Sequence, residues 1–135
     1  MTDYRGTLQL KRGREKPVEN RHPWIFSGAV EAVHGDPEPG DLVAVVDSRD
    51  RWLATAYYNA RSQIRARILS WEADDIVDEA WWYARLQAAI GRRLALQLEP
   101  DTTAYRLVNA EADFLPGLVV DRYADYLVLQ ALTMG

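Results

Sequence analysis

The chain has 135 residues and a mass of 15.4 kDa, with 48% apolar and 27% charged residues, a profile of one ordinary or two small folded domains rather than disorder. Its longest apolar runs, such as Leu42–Val46, fall far short of the ~20 residues of a membrane helix, and the N-terminus lacks a signal-peptide core, which makes the cytoplasm the default address. With no cysteine, the chain can hold neither a disulfide, nor a thiolate zinc site, nor a cysteine nucleophile. The net charge of −4 argues against a generic basic nucleic-acid binder. It hides an asymmetry, however: residues 1–70 hold eleven Lys/Arg against nine Asp/Glu, and residues 71–135 hold five against eleven. A basic working surface is therefore expected in the first half only.

Residues 7–12 alternate as a strand, with Leu8 and Leu10 on one face. The proline-interrupted stretch Lys16–Phe26 allows one short helical turn, with Asn20 as a candidate cap and Trp24, Ile25 and Phe26 as candidate core plugs. Ala29–His34 alternates again, and Gly35–Asp41 is a dense turn signal. Leu42–Asp47, Trp52–Tyr58 and Ile64–Trp71 follow, separated by polar turns. Short strands with compact turns over about 70 residues predict a small β-barrel.

The pattern changes at Glu72. Trp82, Leu86, Ile90, Leu94 and Leu98 form an apolar stripe that predicts a helix over roughly 75–97. Acids from Asp74 to Glu79 and Arg92 and Arg93 complement its dipole, and Pro100 helps to stop it. Strands are expected at 105–110, 117–122 and 126–132, with a hairpin turn at Tyr123-Ala124-Asp125. The fold class is thus mostly β with an α+β second part, divided at 1–72 and 73–135. The last strand would be an unpaired edge, so the chain reads as a fragment, and two copies could form a homodimer through that edge.

The eight glycines stand singly, so neither GxGxxG nor a P-loop can be written. His22 and His34 are not at metal-ligand spacing with a carboxylate, which leaves no metal site to expect. A loop histidine bonded to backbone is the favoured reading of His22 over a hydrolytic one.

The basic residues are more informative. Lys11, Arg12, Arg14, Lys16 and Arg21 crowd the first strand and its loop beside His22 and Trp24. Arg61, Arg65 and Arg67 form a second group, and Arg65 and Arg67 share one face of their strand. If the barrel brings the groups together, the guanidiniums would track phosphates while planar side chains stack on unpaired bases. A solvated barrel face is the competing reading. In the second half, Glu111 and Asp113 precede the Pro116-Gly117 turn. Paired carboxylates can act as acid and base, but capping of turn amides is favoured by the spacing.

The blocks Arg21-His22-Pro23-Trp24-Ile25-Phe26-Ser27-Gly28-Ala29-Val30, Tyr57-Tyr58-Asn59 with Ser62-Gln63-Ile64-Arg65-Ala66-Arg67, and Glu111–Tyr123 together resemble the 23S rRNA (cytosine-C5)-methyltransferases. The resemblance runs from about Leu8 to Thr133, with the blocks in the family's order. It implies a PUA domain that binds structured rRNA over residues up to about 70, then the start of a β-rich central domain. An S-adenosylmethionine-binding Rossmann domain would complete the parent, whose cysteine thiolate attacks cytosine C6.

With no cysteine and no glycine-rich loop here, the fragment itself is expected to carry no catalytic residue and no cofactor. The resemblance points to Lys11, Arg12, Arg14, Arg21, Arg61 and Arg65 for RNA contact, with Asn59 and Ser62 shaping the loop of Arg61. Glu111, Asp113 and Asp121 would border the parent's substrate cleft or cap turns. Phe114 departs from the family, which usually has glycine after the aspartate. A β-barrel protein-interaction module without nucleic-acid binding is the alternative reading.

Overall fold

A computed structural model describes residues 2–95 and 104–131. They divide into two compact units, with the boundary between Ile76 and Val77.

In the first unit, strands β1 (Gly6–Leu10), β2 (Trp24–Phe26), β3 (Val30–Gly35), β4 (Leu42–Val46), β5 (Trp52–Tyr58) and β6 (Ile64–Ser70) form one sheet in the order β2-β6-β5-β4-β1-β3. All pairs are antiparallel except β1 with β4. The two edge strands, β2 and β3, are joined by a single 3₁₀ turn, Ser27–Ala29. Three residues span at most about 11 Å, so the sheet must curl until its edges approach, which is the half-barrel form of the expected barrel. Alternation selects the inward face: Leu8 and Leu10, Val43 and Val45, Ala54 and Ala56, and Ala66 and Ile68 are all buried in one cluster. Each buried Leu or Val contributes about 1.5–3 kcal/mol relative to exposure. At one end of the β1–β3 ladder Gly6 faces Gly35. A Cβ on Gly35, whose φ is +84°, would come within 2.8 Å of the Arg5 carbonyl oxygen.

Two expectations for the stretch after β1 are corrected. The short helix α1 is Lys16–Glu19, with Pro17 in its first turn and Asn20 closing its C-terminal end rather than capping its start. Proline suits the first helical turn, where its missing N–H costs nothing. Of the three proposed plugs only Ile25 is buried; Trp24 is half-buried and Phe26 is 50% exposed. Successive side chains on a strand point to opposite faces, so Ile25 cannot share its face with both neighbours.

The second unit holds α2 (Glu79–Ala95) and an antiparallel sheet of β7 (Ala104–Asn109), β8 (Leu118–Tyr123) and β9 (Tyr126–Ala131) in the order β7-β8-β9. The helix starts later than expected because Asp78 caps it, accepting the Trp81 amide at 2.9 Å. Asp75 lies before it, and its carboxylate accepts the Ser70 hydroxyl. Trp82 and Leu86 pack with Ala89 on Leu107, Val108, Leu115 and Val120. The Leu94 side chain, Leu98 and Pro100, named in the helix reading, lie outside the described residues, as does Leu132 at the end of the last expected strand. Tyr123 pairs with Tyr126, which leaves Ala124 and Asp125 as the two-residue hairpin turn. All six residues of β9 are exposed. Nothing beyond that exposure supports the expected homodimer. No helix among the described residues is long and apolar enough to cross a membrane.

Candidate nucleic-acid interface

The loop from β1 to β2 is organised by backbone bonds that leave its basic side chains outside. The Arg14 amide donates to the Lys11 carbonyl oxygen, closing a turn in which Gly13 has φ +84°. Lys11, Arg12, Arg14 and Lys16 are exposed around that turn. Helix α1 is pinned through the Trp71 indole N–H, which donates to the Val18 carbonyl oxygen at 2.8 Å. The chain leaves α1 through Arg21 at φ +65°. Its guanidinium lies 5.3 Å from the Trp71 ring centre and 3.7 Å from Glu72. Both members of that ion pair are well exposed, so it adds little stability.

His22 follows the backbone-bonded reading. Its Nδ1 accepts the Trp24 amide at 3.2 Å, so a neutral ring carries its proton on Nε2. The ring meets Trp24 edge-on at 6.2 Å and Phe26 at 6.4 Å, and Trp24 and Phe26 are 6.3 Å apart. On the far side of β2, Trp24 pairs with Arg67 and Ile25 with Ala66. The Arg67 guanidinium sits 5.2 Å from the Trp24 ring centre, within cation–π range.

Arg61 is exposed on the β5–β6 loop, where the Asn59 side chain accepts the Arg61 amide and Ser62 Oγ accepts the Ile64 amide. Arg65 is half-buried and donates from Nε back to the Ser62 carbonyl oxygen. Thus β2 lies between the two basic groups. It borders β6 and Arg67 on one side and a cavity lined in part by Arg14 on the other. The aromatic cluster was obscured in the sequence by treating three consecutive apolar residues as core. Period-two alternation was the signal that Ile25 does not share its face with both neighbours.

In the second unit, Asp113 is only 2% exposed. Arg92 approaches one carboxylate oxygen at 2.8 Å and Arg93 the other at 2.9 Å, while the Asn109 amide donates at 2.6 Å. Burial pushes the Asp113 carboxyl up; the Arg92 hydrogen bond, the Asn109 amide and the two arginine charges outweigh it and leave it below its ordinary value. Arg92 and Arg93, read as complements to the helix dipole, are therefore the clamp of a buried carboxylate. Asp121 pairs with Arg106 at 2.8 Å. Glu111 is half-buried in the 3₁₀ turn Ala110–Asp113, where its carbonyl oxygen accepts the Phe114 amide. Phe114 closes that turn in the left-handed region at φ 58°, ψ 31°, which explains the glycine usual at its position in the resembling family. Among the described residues no group of three His, Cys, Asp or Glu side chains could hold a metal ion.

The curled sheet and its short helix coincide with residues 8–71, which match the family model of the PUA-like domain. Over those residues the chain is similar to a PUA-like domain. Across almost the whole chain there are also close relatives. Ribosomal RNA large subunit methyltransferase I of Erwinia tasmaniensis is 45% identical over 128 residues, covering 95% of this chain and 32% of the relative. Its counterpart in Tolumonas auensis is 45% identical over 129 residues, covering 96% and 32%. The chain therefore spans about a third of the length of these relatives. A solved structure of a proposed SAM-dependent methyltransferase from Streptococcus mutans superposes with a TM-score of 0.77 at 19% identity, over 94% of this chain and 33% of that one. A second, a proposed methyltransferase complexed with SAH, gives 0.78 at 19% identity, over 94% and 32%. At that identity the likeness is one of fold, and it extends beyond the PUA-like domain into the second unit.

Proposed function

We propose that this chain is the RNA-binding N-terminal region of a cytoplasmic, S-adenosylmethionine-dependent methyltransferase that modifies cytosine C5 in 23S rRNA. The observation that carries the reading is the 45% identity to ribosomal RNA large subunit methyltransferase I over 95% of the chain, with a PUA-like domain at its start. In this reading Lys11, Arg12, Arg14, Arg21, Arg61 and Arg65 contact phosphates of folded rRNA. Arg61 and the Lys11–Arg14 turn do so first, because their side chains are exposed and the turns beneath them are fixed by backbone and side-chain bonds. Asp113 and Asp121, already engaged by arginines, hold the second unit together rather than touching substrate.

Methyl transfer belongs to parts of the relatives that this chain does not cover. The 135 residues contain no cysteine, and their glycines stand singly, so the sequence carries no glycine-rich cofactor fingerprint. The residues present therefore do not fit S-adenosylmethionine, and no catalytic step is assigned to them.

The test is binding of the chain to labelled large-subunit rRNA pieces across a salt series. Affinity should fall steeply with salt, and Arg12→Ala with Arg14→Ala should flatten the log–log slope by about 1–2, roughly one for each phosphate that is no longer neutralised. An unchanged slope would refute the basic-face assignment. Measurable S-adenosylmethionine binding by the chain would refute its non-catalytic role.

A further inference from the structure

The turn that ends at Phe114 keeps a side chain that its backbone disfavours. Phe114 lies in the left-handed region at φ 58°, ψ 31°, and Ala110, four residues earlier, also has a positive φ of 43°. Such a conformation strains a bulky L-residue and not glycine. The neighbours on either side are anchored: Asp113 is buried in its arginine clamp and Leu115 has no exposure. Held between them, Phe114 turns its ring outward, 56% exposed, and takes no part in the core around Ala89, Leu107, Val108, Leu115 and Val120.

The turn does not depend on that ring. Its closing bonds run from the Phe114 amide to the Glu111 carbonyl oxygen and from the Leu115 amide to that of Ala110, so they are backbone bonds. Arg85 donates from Nη1 to the Phe114 carbonyl oxygen at 2.9 Å, a group that every residue type supplies. What the side chain adds is a second aromatic ring for Arg85. The guanidinium carbon lies 4.4 Å from the Trp81 ring centre and 5.7 Å from that of Phe114, within cation–π range of both. Three arginines of α2 reach this turn, Arg85, Arg92 and Arg93, against its own two carboxylates, Glu111 and Asp113. Positive side chains thus gather here in a half of the chain that is acidic as a whole. A cationic peptide is opposed by those arginines, and an acidic one leaves the ring bare. An unpaired nucleotide answers both features, with its base on the ring and its phosphates toward the cations.

Resting on the RNA-binding reading, we infer that Phe114, backed by Arg85, is a stacking platform for an unpaired base of the bound RNA. The second unit then contacts RNA as well as the first. The anchored turn holds the ring at the surface before RNA arrives, so stacking orders little that was mobile, and the strain at Phe114 is retained for that purpose. Arg85 and the 43% exposed side chain of Arg92 face the flanking phosphates.

The experiment uses the whole chain and two probes: a short uridylate strand carrying 5-iodouridine, and a fully abasic strand of the same length. Irradiation joins iodouridine to an aromatic ring stacked on it, and mass spectrometry locates the joint. The parent chain should be cross-linked at Phe114. Phe114→Gly should lose that cross-link and weaken the uridylate complex by about 5- to 100-fold, the range of one missing base–aromatic stack, with the salt slope and abasic-strand affinity unchanged. Phe114→Leu keeps an apolar side chain and loses only the ring, and it should behave like Phe114→Gly; Phe114→Trp should restore binding. A merely structural ring would instead respond to size and leave the cross-link elsewhere. Unchanged uridylate affinity in both the glycine and leucine variants, or no cross-link at Phe114 while salt-dependent binding persists, overturns the platform and leaves the RNA-binding reading standing. Failure to bind either probe or any rRNA piece at low salt overturns both.

Discussion

Replacing Arg92 and Arg93 together by alanine removes both guanidinium groups from Asp113 and leaves a carboxylate that is 2% exposed with the Asn109 amide as its remaining described donor. The two arginines are unequal. The Arg92 side chain is 43% exposed and that of Arg93 20%, and Arg93 also donates to the Arg106 carbonyl oxygen on β7. Water replaces more of what Arg92 gives, so Arg92→Ala should cost about 1 kcal/mol and Arg93→Ala about 2 kcal/mol. The double variant should cost about 3–5 kcal/mol, at or above the sum of the singles, because only then is the buried charge uncompensated. Urea titration combined with hydrogen exchange localises the effect. Amides of β7 and β8 should lose protection while those of β4–β6 keep theirs. Adding Asp113→Asn to the double variant should recover part of the loss, since the amide carries no charge to strand. A double variant within about 1 kcal/mol of the parent, with β7 and β8 protection unchanged, would refute the clamp.

Phe114→Gly should raise the melting temperature of the second unit. Relief of about 1 kcal/mol of left-handed strain exceeds the roughly 0.5 kcal/mol of added chain entropy, and a lower melting point would show that the Arg85–Phe114 contact matters more. Acid should destabilise both units below about pH 4. Asp113 ionises below its ordinary value near 3.8, as described. Asp47 does so through the Arg51 amide first, against the opposing effect of burial, with the Arg49 amide and Arg51 side chain assisting. Depressed carboxyls stabilise the fold fully above that ordinary value, and the contribution disappears as pH falls through the folded value. An Asp113→Asn variant should therefore show a shallower acid transition in hydrogen exchange of β7 and β8. Leu8→Ala, at a side chain with no exposure, should cost about 2–5 kcal/mol in urea titration; a cost below about 1 kcal/mol would mean that the curled sheet collapses around the cavity.

The strands were legible because a curled sheet with one buried face imposes strict alternation, as at Leu8 and Leu10 or Val43 and Val45. Turn chemistry was equally local: Gly35–Asp41 and the Ala124-Asp125 hairpin fall where polar and small residues announce them. What the sequence concealed depends on distance or on direction. The Asp113 clamp joins residues about twenty positions apart, and an arginine pair near a helix end is already explained by the dipole, so nothing local demanded a partner. Asn20 resembles a start cap by residue type, yet Pro17 was the stronger marker and placed the helix before it. The basic residues proposed for RNA contact were visible as a charge asymmetry. The ring cluster that gives that surface a pocket needed the strand direction of Trp24 and Phe26.

The position of β1 in the sheet has a consequence for how this domain is made. The first strand of this sheet to be synthesised is an interior one, flanked by β4 in parallel and β3 antiparallel, and the sheet is complete only with β6, whose last residue is Ser70. At about 5–20 residues per second, Leu8 and Leu10 wait several seconds after synthesis before the sheet that buries them is finished. During that time β1 is an apolar strand with both edges open. Perturbing β1 therefore perturbs the middle of the sheet, and a nascent chain stalled before β6 is the form of this domain most in need of a chaperone.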